Sequence, residues 1–169
     1  MIDATIRSLW NGEPAAEAEH VRISASIEER ELRVRVQGPF HGDPKPAEPP
    51  GRSPGLWEHE VVELFLVGPA REYLEIELGP HGHYLALLLA APRRVVRDDL
   101  EIRYQATRRR GRFQGDASVP VVYLPGPPER WNAFAIHGSG AARRCLAAHP
   151  LPGPRPDFHQ IDRFPRLER

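Results

Sequence analysis

What most constrains this chain is a succession of short apolar runs that alternate with polar residues at a period of two. Glycine and proline cut each run off before it can grow long. Val21, Ile23, Ala25 and Ile27 alternate with Arg22, Ser24 and Ser26, and Leu32, Val34 and Val36 alternate with Arg33 and Arg35. Successive side chains point to opposite faces only in an extended chain, so these are read as two half-buried strands joined by a tight turn over residues 28–31. No sustained 3.6-residue periodicity appears, so the crossover helices that a parallel sheet needs are missing. The expectation is an all-β fold, an antiparallel β-sandwich of immunoglobulin-like or jelly-roll-like kind with few or no helices.

The remaining runs agree. Residues 60–67, 72–78 and 83–90 form three strand-like stretches separated by Gly-Pro-Ala-Arg and Gly-Pro-His-Gly turns, which reads as a meander. In the middle stretch Leu74, Ile76 and Leu78 share one face and Tyr73, Glu75 and Glu77 the other. One face therefore meets the core, and the other, with its carboxylates in line, is open to solvent or ligand. Residues 101–107 and 113–119 flank an arginine-rich turn and suggest a second hairpin, and residues 131–137 read as one further strand. Roughly eight strands are expected in one domain spanning residues 1–169. Between the first hairpin and the meander, residues 38–55 carry Pro39, Pro44, Pro46, Pro49, Pro50 and Pro54 and cannot donate a continuous ladder of N–H groups, so they are expected to form a long surface loop.

Composition excludes several classes. Acidic and basic residues balance at 23 each, which leaves no net field to steer the molecule toward DNA, RNA or an anionic membrane. Lys45 is the only lysine among the 23 basic residues, and so strong a preference for arginine looks like coding bias more than a recognition surface. The one concentrated basic patch, residues 108–112 with Arg93, Arg94 and Arg97 upstream, has no interleaved aromatics and reads as a solvated hairpin tip. Cys145 is alone, so no intramolecular disulfide and no cysteine-based zinc or redox motif exists. The first twenty residues lack the apolar stretch of a signal peptide, and residues 85–91 are too short to span a bilayer, so the expected location is cytoplasmic, with no membrane and no nucleic-acid partner.

Catalytic motifs are absent: no G-x-S-x-G elbow, no P-loop, no G-x-G-x-x-G and no H-E-x-x-H. Glu63 stands inside an apolar run, where a carboxylate is costly unless partnered, and with Glu75 and Glu77 it is a candidate to hold hydroxyls or a metal ion. His81 and His83 form an H-x-H pair that needs a third ligand from Glu75, His137 or His159 to make a metal site. No resident cofactor is expected, with calcium or another divalent ion as the exception these residues allow. A Met/His haem pair has no methionine to draw on beyond Met1.

The ordered blocks Leu56-Trp57-Glu58-x-x-x-Val62-Glu63-Leu64-Phe65-Leu66, Tyr73-Leu74-Glu75-Ile76-Glu77, Pro80-x-Gly82 and Pro156-Asp157-Phe158-His159-x-x-x-x-Phe164 together resemble the family-9-like carbohydrate-binding modules, a DOMON-like β-sandwich superfamily. Within it the chain looks most like a set of stand-alone proteins with GLWE-x-EVVELFL, YLE-x-EL-x-PHG, AIHG and PDFH blocks. The resemblance implies that Trp57 stacks on a terminal sugar and Glu63 holds its hydroxyls. Where sugar-binding members place a second tryptophan before a proline, this chain has Cys145-Leu146-Ala147-Ala148-His149-Pro150. The expected function is a non-catalytic binding module whose open sheet face, framed by the 38–55 loop, takes a saccharide or other small polar ligand through Trp57, Glu63, Tyr73, Glu75, Glu77, His137 and Arg143. The alternatives are a metal- or carboxylate-dependent hydrolase on the same face, with His81, His83 and His159 as metal-ligand candidates, and a structural or partner-binding domain that could form a homodimer through a strand edge.

Overall fold

The computed structural model describes residues 1–168. Twelve strands run in chain order: β1 (Ile2–Ile6), β2 (Ser8–Leu9), β3 (Val21–Glu28), β4 (Glu31–Pro39), β5 (Val61–Val67), β6 (Tyr73–Leu78), β7 (Tyr84–Ala91), β8 (Arg94–Arg97), β9 (Arg103–Arg109), β10 (Arg112–Pro120), β11 (Arg130–His137) and β12 (Arg144–Ala147). They make a five-stranded sheet in the order β1-β3-β4-β10-β9 and a seven-stranded sheet in the order β2-β12-β11-β5-β6-β7-β8. All the neighbouring strands pair antiparallel. Helical structure among the described residues is limited to three-residue 3-10 turns, and no helix is long and apolar enough to cross a membrane. The all-β antiparallel sandwich expected from the alternating runs is the observed fold.

The main core lies between the sheets, where Ile23, Val34, Val36 and Val119 of the smaller sheet meet Leu64, Leu66, Leu74 and Ile76 of the larger. The smaller sheet is wet on its outer face, so β3 and β4 keep a clean alternation. The larger sheet is not. Phe65, Tyr73 and Phe134 on its outer side are covered by Leu56, Leu151, Ile161 and Phe164. Burial on both faces explains why β5 reads as an almost continuous apolar run. Each covering side chain contributes roughly 1.5–3 kcal/mol of apolar burial. The face carrying Tyr73, Glu75 and Glu77, expected to be open, is therefore roofed, and all three residues are buried.

Four strands escaped the sequence reading. β1 and β2 fall in a polar entry segment, β12 has only four residues, and β8 is exposed throughout, so it has no buried face to impose a pattern. The arginine-rich turn is the hairpin tip that was expected. Arg110 and Gly111 both have positive φ, the backbone of a type I′ turn.

Residues 40–55 form no strand, as their prolines require, yet they are pinned. Ser53 N donates to Tyr84 O at 2.9 Å, and Tyr84 N donates to Gly51 O at 2.9 Å. β8 pairs only with the far half of β7, from Leu88 to Ala91, so the loop supplies hydrogen-bond partners at the near end.

Candidate functional site

The register of β5 against β6 sets Glu63 directly opposite Glu77, with Glu75 two residues along β6 on the same face. Their neighbours across the sheet are Phe134 beside Glu63, Leu85 beside Glu77 and Leu87 beside Glu75. Three carboxyl groups thus share a patch of apolar surface, and one oxygen from each lies within 4.8 Å of the others. Glu63 is 2% exposed and Glu77 0%. Oε2 of Glu75 and both carboxyl oxygens of Glu77 are buried with no hydrogen-bond partner.

Electrostatics follow from that placement. Burial pushes Glu63 well above the usual carboxylate range, the negative charge of Glu75 adds to the shift, and the Arg143 guanidinium opposes it. Burial raises Glu75 to about 8. Glu77 is raised well above its ordinary value, first by burial and then by the charges of Glu63 and Glu75.

Above the patch is a pocket of about 490 Å³, within the range of small-molecule sites. Its walls come from separate parts of the chain. Trp57 belongs to the 3-10 turn Leu56–Glu58, which starts at Gly55, a residue in the left-handed region at φ 78°. Arg143 arrives through the loop after β11. There Gly138 has φ 73°, and a Cβ on it would lie 2.4 Å from the Ala142 carbonyl oxygen, so the AIHG glycine is required by both backbone and space. The Arg143 guanidinium donates to the carbonyls of Trp57 and Glu58, tying the two walls together. The opposite wall is Phe158 and His159. Phe158 stacks on Phe134 at 4.0 Å between ring centroids, and the Tyr73 hydroxyl is bonded to His159 Nδ1 at 2.6 Å. Arg93 pairs with Asp157 at 2.8 Å at the rim. Burial, then the nearby Arg93, lowers His159 to about 4.

Of the residues singled out from sequence, Trp57, Glu63, Glu75, Arg143 and His159 line this pocket together. Glu77 lies beneath it, and Tyr73 helps build its wall through His159. His137 is elsewhere. It shares its side of β11 with Trp131, Ala133 and Ala135, facing the other sheet, where it bonds Glu19 at 3.0 Å and stacks on His41. The 38–55 loop contributes no pocket wall, contrary to the frame expected of it. The histidine metal site also fails to assemble. His81 Nδ1 accepts from Arg108, His83 Nε2 donates to the Glu48 carbonyl, and His159 is held by Tyr73. Among the described residues, Glu63, Glu75 and Glu77 are the one set of three metal-ligand side chains that converges.

Phe158 and Cys145 line the pocket and had not been singled out as ligand contacts. Phe158 supplies an aromatic wall of the pocket, and its signal was the PDFH block itself. Cys145 is free and half-buried, with burial raising its thiol. A broader depression of about 660 Å³ lies over the five-stranded sheet, but its charged side chains already answer one another. Arg35 pairs with Asp116 at 2.6 Å and Arg33 with Glu31 at 2.8 Å.

No protein-family profile matches the chain. Among solved structures, one of a "putative carbohydrate-binding protein" from Bacteroides uniformis superposes with a TM-score of 0.75, covering 99% of this chain and 85% of that one at 15% identity, which establishes the shared sandwich fold. Among curated proteins, the UPF0462 protein C4orf33 homologs of Rattus norvegicus and Mus musculus are each 37% identical over 172 residues, covering 96% of this chain and 86% and 89% of theirs. The human UPF0462 protein C4orf33 is 36% identical over the same length. Identity of this level, sustained from one end of the sandwich to the other, places the chain in the UPF0462 family.

Proposed function

We propose that the chain is a non-catalytic binding module whose pocket on the outer face of the seven-stranded sheet takes a small polyhydroxylated ligand of the saccharide class. One observation carries this reading: buried carboxyl oxygens without partners at the pocket floor, beneath an aromatic side chain, Trp57, that stays 45% exposed at the rim. Buried polar groups are nearly always satisfied within a protein, so groups left over inside a pocket are groups a ligand would satisfy. Hydroxyl pairs on a sugar match carboxyl oxygens, and the apolar C–H face of the ring matches Trp57 or Phe158. The likeness to a structure described as carbohydrate-binding supports the same class.

A carboxylate-based hydrolase is the second reading, favoured by the elevation of Glu75 to about 8, which suits a general acid. It also needs an ionised partner carboxylate, and burial holds Glu63 and Glu77 toward their neutral forms as well.

A thermal-shift screen of the purified protein against mono- and oligosaccharides tests the binding reading, since a ligand selective for the folded state at 100 times its dissociation constant adds about 2.7 kcal/mol. The expected result is a sugar-dependent rise in Tm that disappears in Trp57→Ala and Glu63→Gln. Glycoside turnover in the same panel would favour the hydrolase, and a flat panel would remove the saccharide class.

A further inference from the structure

We infer that Glu63, Glu75 and Glu77 form a binding site for a hard divalent cation of the calcium type at the floor of the pocket. The inference shares the pocket of the saccharide reading but does not depend on its ligand.

The geometry is the first ground. Two oxygens bound to one calcium ion at about 2.4 Å can be no more than about 4.8 Å apart. One oxygen from each of the three carboxyl groups meets that limit against both others. The three groups come from adjacent strands in fixed register, Glu63 opposite Glu77 and Glu75 next on the same face, so rigid backbone and not a loop sets their spacing.

The second ground is Glu77. It is sealed from solvent, neither carboxyl oxygen makes a well-formed hydrogen bond, with the Trp57 backbone N–H as the one donor acting on it, and its side chain is directed into the cluster. A group so placed is either a liability or a ligand, and sheet positions flanked by Leu85 and Phe134 would ordinarily be filled by another apolar residue.

Charge balance is the third ground. Three ionised carboxylates make three negative charges, and Arg143, the one cation acting on Glu63, offsets one of them, leaving two. A divalent ion cancels that remainder. The donor set is all oxygen, which selects calcium, magnesium or manganese over zinc or copper. Three carboxyl groups converging directly on one point suit calcium, which takes about six to eight oxygens in a flexible shell, better than magnesium, which keeps several waters and binds through one or two carboxylates. The pocket above the cluster leaves coordination positions open to water or to ligand hydroxyls.

Three protons would neutralise the same cluster, and the experiment separates the two cases. The full chain, stripped with EDTA and held at pH 8, is titrated with calcium, manganese and, as a luminescent calcium probe, terbium, with Tm and Trp57-sensitised terbium emission as readouts. The expected result is a saturable rise in Tm with calcium, and terbium emission that calcium displaces. Glu77→Gln and Glu75→Gln should each weaken calcium binding at least tenfold while near-ultraviolet circular dichroism stays native. Trp57→Phe should weaken the emission, leaving what Tyr73 on the same strand face sensitises, but keep the calcium response. Absence of any cation response in the wild-type chain overturns the inference, as does a response that survives both glutamine variants. Repeating the sugar screen with calcium and with EDTA tells the two ideas apart. Sugar binding without any cation response defeats the cation site and leaves the saccharide reading standing. A cation response without sugar binding does the reverse.

Discussion

Among the carboxylates withdrawn from water, two sets are treated in opposite ways. Glu19, at the end of the sandwich, accepts two N–H groups from Arg144 at 2.9 and 2.8 Å, one from His137 at 3.0 Å and the Ala16 amide at 3.0 Å. The Arg144 hydrogen bonds, assisted by the Ala16 amide and His137 and opposed by burial, hold it down at about 2. Glu77 and its two companions have apolar neighbours, deepest oxygens without well-formed hydrogen bonds, and pKa values raised above the usual carboxylate range. The same chain satisfies the partly buried Glu19 fully and leaves Glu75 Oε2 and both carboxyl oxygens of Glu77 unsatisfied beside Glu63. That contrast is the basis for reading Glu19 as a structural tie and the glutamate cluster as the proposed binding site.

The largest expected effect comes from breaking the satisfied site. Glu19→Ala leaves Arg144 and His137 without their acceptor and should lower stability by about 2–3 kcal/mol in urea denaturation. A loss below about 0.5 kcal/mol would mean that Glu19 is only a surface pair.

The second test uses pH. Glu75 has a folded value of about 8 against an ordinary 4.5, so between those limits the folded state binds a proton that the unfolded state has released. The stabilisation is present in full below the unfolded value and is lost as pH rises through the folded one. His159, held near 4, acts in the opposite sense, but only below the ordinary histidine range near 6.5. In EDTA the stability should therefore fall between about pH 6.5 and 8, with a slope of about 1.4 kcal/mol per unit or more because Glu63 and Glu77 also hold protons that the unfolded chain has released, and Glu75→Gln should make it shallower. Glu19 behaves the other way round: its contribution is present above 4.5 and is lost as pH falls toward 2.

A smaller effect of opposite sign to Glu19→Ala is expected from Glu77→Gln. At pH 8 in EDTA the buried Glu77 keeps a proton that the unfolded chain has released, and a glutamine that needs no proton should stabilise the fold by roughly 1–2 kcal/mol. Smallest of all is Trp57→Ala, which removes a half-exposed side chain and should change stability by no more than about 0.5 kcal/mol while it abolishes ligand-dependent shifts. A large destabilisation there would make Trp57 a lid residue instead of a ligand platform.

Much of this contrast was legible in the sequence. Alternation alone put Tyr73, Glu75 and Glu77 on one face of β6, and a lone glutamate in an apolar run marked Glu63 as unusual. What the sequence could not show was the roof. Phe158 reaches Phe134 from a segment in which proline and glycine erase any periodic signal, so the open face was expected to stay open. Parity within β11 also places His137 with Trp131 and Ala133, but which side of a strand is the core is decided by the partner sheet, and no local pattern carries that information. Short or fully exposed strands such as β12 and β8 escaped because the period-two signal exists only where one face is buried over several residues.

The outermost strands bear on how this protein behaves in a crowd of its own copies. β9 ends one sheet with Arg103, Arg108 and Arg109, and β8 ends the other with Arg94 and Arg97 on either side of the exposed Val95 and Val96. Neither strand contains an acid, so two molecules trying to zip together along either rim would set guanidinium against guanidinium. On these two of the four sheet edges, the others being β1 and β2, the arginines act as gatekeepers against like-to-like pairing of β8 with β8 or β9 with β9.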